Sequence, residues 1–167
     1  LYMSNSHAPD FKEELHERNF ESLIRVIENK NYQLIIKLHP AENTALFDKV
    51  FKPYKGKVIL LPKNANLYNT IISSKVCASA YSTTLIESMC LEVPTIQMNM
   101  LKEKRLPDYS VREGCISVTN ENQLDTVLEK TNFVKELDRQ KKFTNLYFNN
   151  FGNASLTIHN HVFSREV

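Results

Sequence analysis

Glycine is scarce in this chain, at 3 of 167 residues. That scarcity excludes the glycine-rich phosphate loops GxGxxG and GxxxxGK[ST]. Any phosphate bound here must be held by hydroxyls and by the end of a helix. No apolar run approaches the roughly 20 residues needed to span a bilayer. The first residues, LYMSNSHAPD, lack the basic and apolar regions of a signal peptide. The 3 cysteines, Cys77, Cys90 and Cys115, form no CxxC pair and leave an odd thiol. Cys77 and Cys115 lie in apolar runs, so buried reduced thiols in a cytoplasmic protein are expected. A formal net charge of +2 is far from the basic excess of a duplex nucleic-acid binder.

Metal and hydrolase signatures are also missing. No HExxH and no cysteine or carboxylate cluster supplies ligands, so no metal is expected. His159 and His161 are two apart and diverge on a helix. No GxSxG elbow or Ser-His-Asp order is present.

What remains is a globular composition, 42% hydrophobic and 24% charged, in a length typical of one domain. Short apolar runs alternate with helical periods. Strands are predicted at Leu1–Ser4, Leu34–Leu38, Val58–Leu61, Val76–Ser79, Thr95–Met98 and Cys115–Val118. Phe11, Leu15, Phe20, Leu23, Ile24 and Ile27 mark a first helix, opened by a capping-box-like Asp10 and Glu13. Asn43–Lys52 is a shorter helix. Asn66 caps a helix carrying Leu67, Ile71 and Ile72, and Thr84–Leu91 follows the fourth strand. Asn120 caps another with Leu124, Val127 and Leu128. Phe133–Phe148 and Ala154–Arg165 close the chain. This alternation predicts an α/β fold, a doubly wound, Rossmann-like parallel sheet of about six strands with helices on both faces.

In such sheets ligands bind beyond the carboxyl ends of the strands, where strand order reverses. The rule selects the loops Ser4–Pro9, His39–Asn43, Tyr81–Thr84 and Asn99–Arg112. The third is the most informative. Tyr81, Ser82, Thr83 and Thr84 form a hydroxyl-rich turn between a strand and a helix, where unpaired N–H groups and the positive dipole end favour a phosphate. Glu87, one turn further, can accept from a sugar hydroxyl. An ordinary Ser/Thr helix cap is the competing reading. His39, held extended by Pro40, is a candidate donor to a phosphate oxygen. His7 and Arg105, the latter in the Lys102–Arg105 run, are further candidates for the same crevice.

Three separated segments resemble the C-terminal nucleotide-binding domain of GT-B glycosyltransferases. They are KLHPAEN (Lys37–Asn43), AYSTTLIESMCLEVPTI (Ala80–Ile96) and FGNASLTIHNHV (Phe151–Val162). In the CDP-glycerol glycerophosphotransferases a strand ending in HP precedes a DYSS-type turn, an acidic residue and a Gly-x-Pro. Tyr81, Ser82, Thr83, Glu87 and Pro94 occupy those positions. The leading Asp is Ala80, and the glycine before the proline is replaced in LEVP. In the non-hydrolysing UDP-N-acetylglucosamine 2-epimerases the turn carries two glycines, replaced here by Ser82 and Thr83, and the Arg of the last motif is Thr157. Glu87 aligns there with a ribose-binding glutamate. KLHP with STTLIES also resembles bacterial capsule and lipopolysaccharide transferases, including polysialyl-type enzymes.

The resemblance implies the donor-nucleotide domain of a transferase that builds bacterial surface polysaccharide. The donor would be a UDP-, CDP- or CMP-linked sugar, with its base near Leu61–Asn66. Catalysis would rest on His39, and Tyr81, Ser82, Thr83, Thr84 and Glu87 would bind the nucleotide. Residues 1–167 would be one domain of a longer two-domain enzyme. The glycan or lipid-linked acceptor would meet its N-terminal domain, in the cytoplasm at the inner face of the membrane. The alternatives are an epimerase-like sugar-nucleotide enzyme and a non-catalytic doubly wound interaction domain.

Overall fold

The structure, a computed structural model, describes residues 1–4, 13–28, 30–42, 47, 51–54, 56–104, 106–110, 114–148 and 152–157; of Glu13 and Tyr147 it describes the backbone alone. The elements in chain order are β1 (Tyr2–Met3), α1 (Glu13–Ile27), β2 (Leu34–Lys37), a 3-10 turn (Lys52–Tyr54), β3 (Val58–Leu60) and α2 (Leu67–Ile72). Then come β4 (Cys77–Ser79), α3 (Thr83–Cys90), β5 (Thr95–Met98), β6 (Ile116–Val118), α4 (Glu121–Lys130) and α5 (Phe133–Tyr147). Most of the expected helices at Asn43–Lys52 and Ala154–Arg165 lies outside the described residues, as do Asp10 and Phe11.

The strands form a 6-stranded sheet in the order β3-β2-β1-β4-β5-β6, and every pairing is parallel. This is the Rossmann-like doubly wound sheet expected from the alternation, and its order reverses between β1 and β4. Successive strand residues point to opposite faces. Tyr2 therefore joins one buried cluster, with Ala78, Ile96 and Met98. Met3 joins the other, with Cys77, Leu85 and Val93.

On the first face α1 lays down Phe20, Leu23, Ile24 and Ile27, and α4 adds Leu124. The Tyr2 and Phe20 rings meet edge-on, with centroids 4.8 Å apart. Each of these large apolar groups contributes about 1.5–3 kcal/mol on burial. On the second face Ile71 from α2 and Leu85 from α3 cover β1 and β4. Met89 of α3 meets Phe143 of α5 and Cys115 before β6. Gly114 is required there: a Cβ would lie 2.4 Å from the Tyr109 carbonyl oxygen and 3.0 Å from the Phe143 ring.

Most boundaries shift from the expectation by one or two residues. The shift with chemical meaning is at α3, which begins at Thr83 and not Thr84, because Ser82 is its N-cap. Asn66 and Asn120 cap α2 and α4 as expected. Of the three apolar residues expected on α2, Ile71 is buried, Leu67 packs partly buried against the same cluster, and Ile72 is exposed.

Candidate functional site

The carboxyl ends of β2, β1, β4 and β5 lie side by side, since these strands are neighbours in the sheet. Each delivers one polar segment to a common rim. After β2 comes His39-Pro40. Its conformation is held from several sides. The Glu42 carboxylate, 4% exposed, accepts the His39 backbone N–H at 2.7 Å through Oε2. The Lys63 ammonium donates to the Pro40 carbonyl at 2.8 Å. The imidazole Nδ1 accepts the Ala41 N–H at 3.2 Å. That last contact assigns the ring: Nδ1 is an acceptor, so the proton of neutral His39 sits on Nε2, which is a donor.

After β1, the Ser4 hydroxyl donates to Glu42 Oε1 at 2.7 Å. Buried Lys37, the last residue of β2, donates to the carbonyls of Leu38 and Lys63. Desolvation lowers its pKa, and the Glu42 carboxylate opposes that shift.

After β4 comes the turn leading into α3. Ser79 ties it back to β1 by donating to the Met3 carbonyl at 2.7 Å. Tyr81 is buried, at 6% exposed, so its ring packs beneath the rim instead of lining it. Ser82 Oγ accepts the Thr84 N–H at 3.3 Å and the Thr84 hydroxyl at 2.7 Å. Ser82 is therefore both a helix cap and part of the candidate site. The Thr84 hydroxyl proton is already committed to it. Thr83 is exposed at the first helical position, where no intrahelical carbonyl can reach its backbone N–H. Glu87 lies three and four residues further, so its side chain leans back over Thr83 and Thr84. His7 and Arg105 lie outside the described residues.

Three further residues shape the rim, and no motif in the sequence marks them as polar site residues. Gln97, at the end of β5, donates to the carbonyls of Ala80 and Pro107 and accepts the Tyr109 N–H at 2.9 Å. Asn19 of α1 donates to Met98 O and Tyr2 Oη, and accepts the Met100 N–H. His16, 1% exposed, stands 3.2 Å from Tyr2 Oη through Nδ1. Burial depresses its pKa to about 4, partly opposed by the Glu42 charge. The burial of His16 has a sequence signal: with Phe20, Leu23 and Ile27 it continues the apolar stripe of α1 at helical spacing.

The expected thiols are free, with Cys77 and Cys115 buried, and desolvation pushes Cys115 up to about 12. Among the described residues no group of three His, Cys, Asp or Glu could hold a metal. Likewise, no described helix is long and apolar enough to cross a membrane. A cavity of about 310 Å³, lined by Leu1, Ile27, Tyr32, Lys75, Val76 and Leu128 among others, opens at the opposite, amino-terminal end of the strands and belongs to no part of this rim.

Comparison with known proteins places the arrangement in context. The sequence model of the family described as Alpha-2,8-polysialyltransferase (POLYST) matches residues 2–100, a span that holds His39 and Tyr81–Glu87. A search of curated proteins finds no match. Among solved structures, the UDP-GlcNAc 2-epimerase of Methanocaldococcus jannaschii, in complex with UDP-GlcNAc and UDP, aligns at TM-score 0.55 and 16% identity over 89% of this chain and 44% of its own. The wall teichoic acid polymerase TagF aligns at TM-score 0.61 and 16% identity over 98% of this chain and 42% of its own. MnaA of S. aureus, solved with UDP, aligns at TM-score 0.65 and 12% identity over 99% and 44%. The chain thus spans less than half the length of these structures, and at such identities the likeness is one of fold: a GT-B-like, Rossmann-type α/β fold.

Proposed function

The chain belongs to the alpha-2,8-polysialyltransferase family, and from that premise we propose that it is the donor-nucleotide-binding part of a glycosyltransferase that builds bacterial surface polysaccharide. The observation that carries this reading is that the head of α3, after β4, and the His39 turn, after β2, stand on the same carboxyl rim on either side of β1, where strand order reverses, with the proton of the neutral His39 ring on Nε2. Both features suit an anion.

The donor is a nucleotide-linked sugar. Of the UDP-, CDP- and CMP-linked classes, the family name favours a CMP-linked sialic acid. Its phosphate docks on the Thr83 N–H and the Ser82 and Thr83 hydroxyls. Glu87 accepts from the ribose, and the base lies along Leu61–Asn66. An acceptor hydroxyl attacks the anomeric carbon. The bond from that carbon to the phosphate oxygen breaks, and its electron pair stays on the phosphate. Donors fixed at that oxygen before the reaction stabilise the growing charge without reorganising. His39 Nε2–H and the dipole of α3 fill that role. The group that activates the acceptor, and the glycan or lipid-linked acceptor itself, belong to an N-terminal domain of a longer enzyme, working in the cytoplasm at the membrane face.

Calorimetric titration of the chain with CMP, CDP, UDP and GDP tests the binding half. Binding of at least one of them is expected, with Glu87→Gln weakening ribonucleotides more than their 2′,3′-dideoxy analogues. In the full-length enzyme, His39→Ala should lower kcat by about a hundredfold, with a smaller loss of nucleotide affinity, as for loss of one oxyanion donor. Sugar transfer to an acceptor, with no epimerised donor formed in its absence, is the expected product pattern. Absence of nucleotide binding, or turnover undiminished by His39→Ala, would refute the assignment.

A further inference from the structure

Beneath the rim lies a polar chain that the proposed chemistry leaves unused. Asn19 anchors it. Its Oδ1 accepts the Met100 N–H and its Nδ2 donates to Met98 O at 3.1 Å, which fixes the amide orientation. The same Nδ2 donates to Tyr2 Oη at 3.2 Å. Tyr2 Oη and His16 Nδ1 stand 3.2 Å apart. If Nδ1 carried the proton, the Tyr2 hydroxyl hydrogen would be left with no acceptor, and His16 Nε2 with no donor. If the Tyr2 hydroxyl donates to Nδ1, a single group is left over. The second arrangement satisfies one more buried group and is the one the network selects.

The group left over is His16 Nε2–H. Among the described residues it is the buried side-chain polar atom without any partner. The imidazole is neutral at physiological pH, since burial holds its pKa at about 4. Its place in the fold is informative. His16 belongs to the first turns of α1, at the same end of the sheet as the rim. Its ring packs against Tyr81, with centroids 5.8 Å apart, and Tyr81 directly precedes the Ser82 cap. A buried donor without an acceptor is rare in a native chain and asks for an explanation.

We propose that His16 is a ligand-binding residue of this crevice, whose Nε2–H is held in reserve under the β4–α3 turn and donates to a phosphate oxygen of the bound nucleotide. The proposal rests on the nucleotide-binding reading above. Tyr81 forms part of the cover over the ring, so docking is coupled to a shift of the turn that Tyr81 begins. The Tyr2–Asn19 pair then acts as the positioning device: it holds the imidazole in the tautomer that points its proton outward from the network. Neutrality matters as well, because a neutral donor accepts the phosphate without a competing buried charge to desolvate when the site is empty.

The test is a histidine-selective ¹H–¹⁵N spectrum of the wild-type chain, recorded empty and with saturating CMP, CDP or UDP, whichever binds, and with the matching nucleoside. In the empty chain His16 should appear as the Nε2-protonated neutral tautomer. The Nε2–H resonance should move downfield with the nucleotide and stay in place with the nucleoside, which lacks the phosphate. His16→Phe, which fills similar space without a donor, should weaken nucleotide affinity by about tenfold, the scale of one hydrogen bond to a charged oxygen, and leave nucleoside affinity unchanged. A His16 resonance unmoved by a saturating nucleotide overturns the proposal, whatever the variant does. An equal shift with the nucleoside overturns the phosphate assignment. If no nucleotide binds the wild-type chain, the nucleotide-binding reading itself has failed and His16 falls with it; if one binds and His16 is silent, the failure is of His16 alone.

Discussion

The Ser4 hydroxyl donates to Glu42 Oε1 at 2.7 Å across 38 residues of chain. The other carboxylate oxygen of Glu42 holds the His39 N–H. One buried carboxylate therefore clamps the ends of β1 and β2 together and sets the direction in which the His39 turn leaves the sheet. Removing it leaves two donors unsatisfied, one hydroxyl and one backbone N–H, in a largely dry place.

Glu42→Ala should accordingly destabilise the chain by about 2–3 kcal/mol, the range for losing hydrogen bonds to a charged acceptor. Glu42→Gln, which keeps one acceptor oxygen, should cost about half as much. Urea midpoints for the two variants check this. Equal midpoints for Glu42→Ala and the parent chain would mean that the clamp holds nothing.

Ser82 has two roles that a single substitution can separate. Ser82→Ala removes the cap of α3 and should cost about 1 kcal/mol of stability. Ser82→Asp caps equally well but sets a carboxylate where the phosphate is proposed to sit. It should keep the parent melting temperature and lose nucleotide affinity by about tenfold or more through like-charge repulsion. Undiminished affinity in Ser82→Asp would remove the phosphate from this turn.

The stability of the chain should fall in mild acid on account of His16. The groups facing that ring are Tyr2 from β1, Tyr81 from the head of α3, and the Glu42 charge from the segment after β2. Its pKa is about 4 in the fold against an ordinary 6.5. Between those values the unfolded chain binds the proton and the folded chain does not. The contribution is complete above pH 6.5 and is lost as pH drops towards 4, by up to about 3 kcal/mol. Urea unfolding of the parent and of His16→Phe at neutral and mildly acidic pH checks it, since the variant should lack this component.

Glu92 sits in the left-handed region, with φ 57, just past the C-cap of α3. This is the LEVP segment, where the sequences it resembles carry glycine. Its ion pair with Lys141, 3.2 Å long between two exposed side chains, contributes little. Glu92→Gly should therefore raise stability by about 0.5–1 kcal/mol, by removing the Cβ strain at a position that favours glycine. A lower melting temperature in that variant would contradict this account.

Much of this protein is legible in its local chemistry. The apolar alternation specifies six strands and their parallel sense. Asn66 and Asn120 announce their helices, because an N-cap is a contact between residues three apart. The hydroxyl-rich Tyr81–Thr84 turn and His39-Pro40 stand out for the same reason: their conformational preferences are written in adjacent residues. The sequence does not specify which distant groups share a proton. The Ser4–Glu42 clamp, the Gln97 bridge from β5 to the Ala80 and Pro107 carbonyls, and the bonds of Tyr2 to His16 and Asn19 join residues 10 to 38 positions apart. Nor does it specify that Tyr81 turns inward while Ser82 beside it spends its oxygen on a cap. Tertiary structure decides these matters, because burial removes water as the alternative partner, and only the strand order determines which polar groups are left to find one another.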